Sequence, residues 1–212
     1  MVIRSLVGEH PEVEPLLDPR SGAQRARLLE AMTRIVGEKG YAAATVADTV
    51  RAARVSRGTF YAQFASKEAC FLEAYRHGVD VLVERIELAV RAEPGDWRAK
   101  LRAAMRAYLA ELEADPSFAR AHLFEIHVAG PAAGAARDAT LRRFAERYKA
   151  TFSAAAGGAV PKSDDALFAL AAGIDQLVCA RVRAGAAVPA LEDALVDCAL
   201  QLGAPHQTGD GS

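Results

Sequence analysis

The chain has 212 residues, 51% hydrophobic and 25% charged, with a formal net charge of -1. That is enough apolar material for a sizeable core, in one large unit and one small one, and no run of about 18 apolar residues exists that could cross a bilayer. Cys70, Cys179 and Cys198 are odd in number and far apart, which excludes a disulfide framework and a metal-ligand spacing and points to a reducing cytoplasm.

Residues 1–20 carry prolines and acids and are expected to form a flexible arm, with a short helix at Val13–Leu17. Their start lacks the basic segment and apolar core of a secretory signal. The first main helix is predicted over Gly22–Lys39, with Leu28, Leu29, Met32, Ile35 and Val36 in one stripe and Gly40 as its C-cap. Thr45, Ser56 and Ser66 then read as three N-caps. They define a helix ending near Ala53, a second over Ser56–Phe64, and a third opening at Lys67, either of about two turns to Tyr75 or running on into a long helix along the stripe Phe71, Tyr75, Val79, Leu82 and Ile86, with a kink near Gly78 plausible but not required. Val46, Thr49 and Val50 face inward, and Asp48 completes a weak capping box with Thr45.

Farther on, Pro94-Gly95, Asp115-Pro116, Gly130-Pro131, Gly157-Gly158 and Gly185–Pro189 punctuate the chain. Between them fall a helix from about Asp96, one opened by Asp115-Pro116, long helices over 135–156 and 164–184, and a last one through Leu191–Leu200. The tail after Gly203 is polar and expected to be disordered. Alanine is abundant and no strand alternation survives, so the fold class is all-α, with nine or ten helices.

Charge is unevenly placed. Residues 20–67 carry a net of +6, against -3 for residues 1–19 and -4 for residues 68–212. A small basic unit attached to an acidic body suits phosphate binding at one end. The helix at Ser56–Phe64 puts Arg57, Thr59 and Tyr61 near its N-terminal half, the end that a recognition helix presents to base edges and phosphates in the DNA major groove. Phe60 and Phe64, four apart, pack inward. Gly58 lowers helix propensity and implies a close approach, to another helix or to DNA. The Lys67 ammonium and the free N–H groups of its helix can hold a phosphate.

The stretches GYAAATVADTV, VSRGTFYAQF and SKEACF resemble the N-terminal domain of the TetR family of transcriptional regulators, over roughly residues 25–72. Two departures stand out: Arg54 occupies a turn position where the family usually has glycine, and Thr49-Val50 stand where it usually has isoleucine and alanine. Arg54 must accept a strained turn or alter it, and could add a phosphate contact. The predicted DNA-facing set is Thr45, Arg54, Ser56, Arg57, Gly58, Thr59, Tyr61 and Lys67.

The resemblance implies an N-terminal three-helix helix-turn-helix DNA-binding domain followed by a larger helical ligand-binding and dimerisation domain. The expected divisions are 1–20 (arm), 21–68 (DNA binding), 69–203 (effector binding and dimerisation) and 204–212 (tail). It implies a homodimer pairing through the two long helices, whose small residues Ala145, Ala171 and Ala172 would allow close packing. It further implies a ligand-responsive repressor, released from a palindromic operator in double-stranded DNA by a small hydrophobic or amphipathic effector, without cofactor, metal or membrane partner, in the nucleoid-associated cytoplasm. An activator and an effector-independent DNA-binding protein are the alternatives. No phosphate loop, nucleophile elbow or zinc-protease motif is present, which argues against an enzyme.

The effector pocket would lie among the central helices. Tyr75, Met105, Tyr108, Phe124 and His127 are candidates from the first half of that region, and Phe144, Tyr148, Phe152, Asp175 and Cys179 from the second. Asp175 interrupts an inward-looking apolar run. A buried carboxylate needs a partner, either an arginine across the dimer or a donor on the effector. His122 and His127 are five apart and share no helix face for a metal, and Glu125 between them is expected to face solvent.

Overall fold

The three sequence caps act as N-caps in the computed structural model, which describes residues 19–155 and 162–203. The Thr45, Ser56 and Ser66 hydroxyls accept from the backbone N–H groups of Asp48, Thr59 and Ala69. They open α2 (Val46–Ala53), α3 (Arg57–Gln63) and α4 (Lys67–Ala92), which follow α1 (Pro19–Lys39). The body continues with α5 (Trp97–Ala114), α6 (Pro116–Leu123), α7 (Pro131–Ala155), α8 (Asp164–Arg183) and α9 (Glu192–Gly203). Short 3-10 turns at Glu125–Val128 and Val188–Leu191 complete an all-α fold with no strand among the described residues. The expected helix at Val13–Leu17, the loop through Gly157-Gly158 and Pro161, and the tail after Gly203 lie outside the described residues.

α4 takes the longer of the two courses expected for it, one helix of 26 residues, about 39 Å long at the α-helical rise. Gly78 does not kink it. A Cβ there would stand 2.7 Å from Cε2 of Phe118, so the missing side chain makes room for that ring. Gly37 of α1 does the same for the backbone of α6, since a Cβ would lie 2.5 Å from the Ser117 Cα. Two glycines on two helices thus seat the first turn of α6, which Asp115 caps.

The core has two parts. One gathers Leu28, Met32, Val36, Phe60 and Phe71 from α1, α3 and α4, and it runs on into Ala121, Ile126, Ala129, Ala133 and Ala136. The other packs Leu82, Leu109, Leu123, Phe152, Leu170 and Leu195 from the body. Residue 68, the expected boundary, falls in the first turn of the continuous α4.

Two expectations are corrected. Glu125 does not face solvent. Its carboxylate accepts from the Tyr41 N–H at 2.7 Å and from Arg120 at 3.2 Å, pinning the loop after α1. Ala145 and Ala171 are buried in the chain's own core and are not available to a partner subunit.

Candidate nucleic-acid interface and internal cavity

Arg54 closes α2 in the left-handed region at φ 54°, ψ 48°. It is the one non-glycine residue with positive φ among those described. The Val55 N–H reaches the Val50 carbonyl at 3.0 Å and the Arg54 N–H reaches Arg51 at 3.3 Å, the paired bonds of a Schellman turn. The turn therefore keeps its geometry, and arginine accepts the backbone conformation that glycine adopts without cost. Thr49, the other departure, is fully buried. Its hydroxyl is satisfied by donating to the Thr45 carbonyl at 3.0 Å.

α3 is held by its apolar side. Phe60 and Phe64 are buried with ring centroids 5.6 Å apart. Arg25 lies over Phe64 at 4.5 Å, donates to the Gln63 carbonyl and pairs with Glu73, binding α1, α3 and α4 together. The opposite side carries Arg57 and Gly58, both exposed, and Tyr61, 56% exposed and edge-on to Phe60. Ser56 and Thr59 share a hydroxyl hydrogen bond of 2.9 Å at the helix start. A Cβ at Gly58 would meet only the Ser56 hydroxyl, at 3.5 Å. No neighbouring helix requires the glycine, so of the two close approaches expected for it, only one to a molecule outside the chain is left.

Lys67 is placed differently from the expectation. Its ammonium donates to the carbonyls of Tyr41 at 2.8 Å and Ala44 at 3.1 Å and sits 4.2 Å above the Tyr41 ring. Two of its three donors fix the loop that leads into α2. Lys39 and Asp48 pair at 3.1 Å across the same junction, and the hydrogen bond from the Thr45 hydroxyl, with this ion pair, holds the Asp48 carboxyl below its usual pKa.

A cavity of about 300 Å³ opens among α4, α5, α7 and α8. Its wall is apolar along Val83, Ile86, Leu101, Met105, Phe144 and Ile174. One end carries His122, Arg137, Thr140 and Asp175; toward the other lie Glu87, Arg91 and Arg147. Residues 137 and 147 are ten apart on α7, which separates the two ends by about 15 Å at the helical rise. At the first end, Arg137 pairs with Asp175, and its Nε donates to His127 at 3.1 Å. His122 is stacked between Tyr75 (centroids 5.1 Å) and Phe118 (5.3 Å). Burial, with the Arg137 charge, pulls its pKa down to about 3, so it is neutral.

The family model described as "Bacterial regulatory proteins, tetR family" matches residues 28–74, the span of α1–α3 and the first turns of α4. That N-terminal segment matches the TetR family. Over 102 residues the chain is 30% identical to the HTH-type transcriptional regulator AlkX of Mycobacterium tuberculosis, covering 46% of this chain and 48% of that one. Over 92 residues it is 34% identical to the HTH-type transcriptional activator FasR of Mycolicibacterium smegmatis, covering 43% of this chain and 42% of that one. The matches thus span about half the length of these relatives. Among solved structures, the regulator FadR of Bacillus subtilis in complex with stearoyl-CoA superposes with a TM-score of 0.71 at 16% identity, over 85% of this chain and 99% of that one. That likeness is one of fold.

The residues expected to line the cavity divide evenly. Met105, Tyr108, Phe144, Tyr148 and Asp175 line it; the other five do not. Tyr75 stands behind His122. Phe124 lies under the Arg183 guanidinium. His127 is exposed at its edge and accepts from Arg137. Phe152 is fully buried against Trp97. The Cys179 thiol lies 3.8 Å from the Leu123 carbonyl. Asp175 has its arginine, but within the same chain. Arg137 and His122, the buried polar residues of the wall, were not anticipated as lining. The available signal for Arg137 was its fit to the inward stripe of α7, four residues before Leu141.

Proposed function

We propose that the chain is a homodimeric transcriptional regulator whose two α3 helices enter successive major grooves of a near-palindromic operator, and that an apolar or amphipathic ligand in the cavity releases it. Residues 21–68 would read DNA, and residues 69–203 would bind the ligand and the second subunit. The observation that carries this reading is α4. At one end Lys67 clamps the loop before α2, and more than four turns farther on Val83, Ile86 and Val90 enter the cavity wall. A rigid helix with one end in each place couples the two sites, and DNA must then weaken ligand binding by the factor with which ligand weakens DNA binding.

In this reading Arg57, Thr59 and Tyr61 contact DNA directly, the Gly58 backbone lies against it, and Arg54 adds a phosphate contact. Thr45, Ser56 and Lys67 position the reading helix. The dimer face is an exposed line of small and apolar residues on α8, Ala169, Gly173, Leu177 and Ala180; Leu177 is 44% exposed. Work of this kind belongs in the cytoplasm on the nucleoid. The stearoyl-CoA held by the FadR neighbour supports a ligand with a long apolar part. A second reading, activation, is supported by the relation to FasR, an activator.

Selection of bound duplexes from random DNA with the purified chain tests the proposal. It should yield a near-palindrome with half-sites about one helical turn apart. Tyr61→Phe should weaken binding to that sequence several-fold and leave the oligomeric state intact. Recovery of no common motif, or full-strength binding by Tyr61→Phe at moderate salt, would refute the corresponding part.

A further inference from the structure

The end of the cavity nearest the DNA module is built of polar groups in an otherwise apolar interior. Tyr75, His122, Arg137, Thr140 and Asp175 come from four helices and are each no more than 6% exposed. Within this cluster the Tyr75 hydroxyl, the His122 Nδ1 and the Arg137 Nη1 are buried with no hydrogen-bond partner. The phenol lies beside Thr140 and Arg137 without reaching either in hydrogen-bonding geometry. Each buried polar atom left unpaired costs free energy, and here three are gathered where His122, Arg137 and Asp175 line one cavity.

Two of the three belong to residues that line the cavity, Arg137 and His122, and Tyr75 stands behind them. Arg137 offers an N–H donor, and neutral His122 a nitrogen that donates or accepts according to its tautomer. An unpaired donor in the wall calls for an oxygen. The charge of the site decides which kind. The Arg137 cation is already matched by the Asp175 anion, and His122 is neutral. A ligand carboxylate would leave two buried anions against one buried cation, an arrangement that low-dielectric surroundings penalise heavily. An uncharged oxygen adds no such imbalance. A plain hydrocarbon terminus would leave both groups bare.

We infer that the cavity selects ligands whose buried end carries an uncharged oxygen, a ketone or hydroxyl, on an apolar skeleton about ten carbons long. This inference rests on the cavity being a ligand site. It adds that the inner end reads chemistry and not only length.

Calorimetric titration of the full chain at pH 8 with decan-2-one, decan-1-ol, decanoate and dec-1-ene tests it. The ketone and the alcohol should bind about tenfold tighter than the alkene, the scale of one or two buried hydrogen bonds, and decanoate should bind more weakly than either. In His122→Phe, which removes the ring nitrogens from the cavity wall, the gap between ketone and alkene should narrow about threefold or more. The paired change Arg137→Met with Asp175→Leu, which leaves no lone buried charge, should narrow it further. Decanoate binding tightest, or all four probes binding alike, overturns the inference and leaves the cavity a ligand site. Failure of all four to bind overturns the cavity reading as well.

Discussion

Replacing Gly37 by alanine separates two effects of opposite sign. In the interior of a helix the change ordinarily stabilises by about 0.5–1 kcal/mol, because glycine has more backbone freedom to lose. Here the new Cβ would stand 2.5 Å from the Ser117 Cα and 2.6 Å from its carbonyl carbon, where ordinary contact begins near 3.4 Å. The obstacle is backbone, so no side-chain rotation relieves it, and α6 must retreat by about 0.9 Å, the shortfall from that contact distance. Its room to do so is limited, since Phe118 fills the Gly78 notch and His122 is stacked between two rings. Overpacking of this kind costs about 1–3 kcal/mol, and a backbone clash belongs near the top of that range. After the helix gain a net loss of about 2 kcal/mol is left, which for a chain of this size lowers Tm by about 6 °C. Scanning calorimetry at one fixed protein concentration reads the shift. Gly22→Ala, in the same helix with nothing within 4 Å of its Cβ, is the control and should raise Tm slightly. If Gly37→Ala shifts Tm upward as the control does, the packing of α6 on α1 is not as described.

Gly58→Ala should leave Tm within about 2 °C of the parent, since its Cβ would touch only a hydroxyl, yet weaken operator binding about tenfold or more through the lost approach to DNA; equal affinity would remove Gly58 from the interface. Arg54→Gly should stabilise the fold by up to about 1 kcal/mol in urea titration, because it relieves a left-handed residue at a position of φ 54°; a loss would mean that the arginine side chain is holding the turn. Stability should drain as pH falls below about 6.5, the ordinary histidine pKa, because the unfolded chain then binds a proton that folded His122, with its pKa near 3, refuses. Between pH 6 and pH 5 the parent should lose about 1 kcal/mol more than His122→Phe, and parallel pH profiles would show that His122 is not the buried neutral group described.

What the sequence disclosed and what it hid divide along the range of the interactions involved. Thr45, Ser56 and Ser66 were readable as caps because a cap is satisfied within three residues of itself. Phe60 and Phe64 were readable because helical spacing alone puts them on one face. Glu125 was misread because its partner, the Tyr41 N–H, lies 84 residues away. Gly78 suggested a kink because nothing local announces that a ring from residue 118 will occupy its notch. Asp175 stood out as a carboxylate in an apolar run. Arg137 did not, because it sits beside Asp138 in a helix with exposed arginines, where one more charge is unremarkable. Its place four residues before Leu141 on the inward stripe of α7 was the signal that its charge masked, and its partner Asp175 lies 38 residues away on α8.

The continuity of the first core beyond α4 bears on how this protein can be recombined with its relatives. A chimera cut at residue 68 would give the grafted reading head the floor of a different protein in place of Ala121, Ile126, Ala129, Ala133 and Ala136. It would also lose the carboxylate that Glu125 lends to the Tyr41 backbone. A working exchange would have to carry α6 and the opening turns of α7 with the first three helices. The transferable part is thus a discontinuous block, and under the proposed function a DNA preference could be moved to a related regulator by helix transplant only where that floor is moved too.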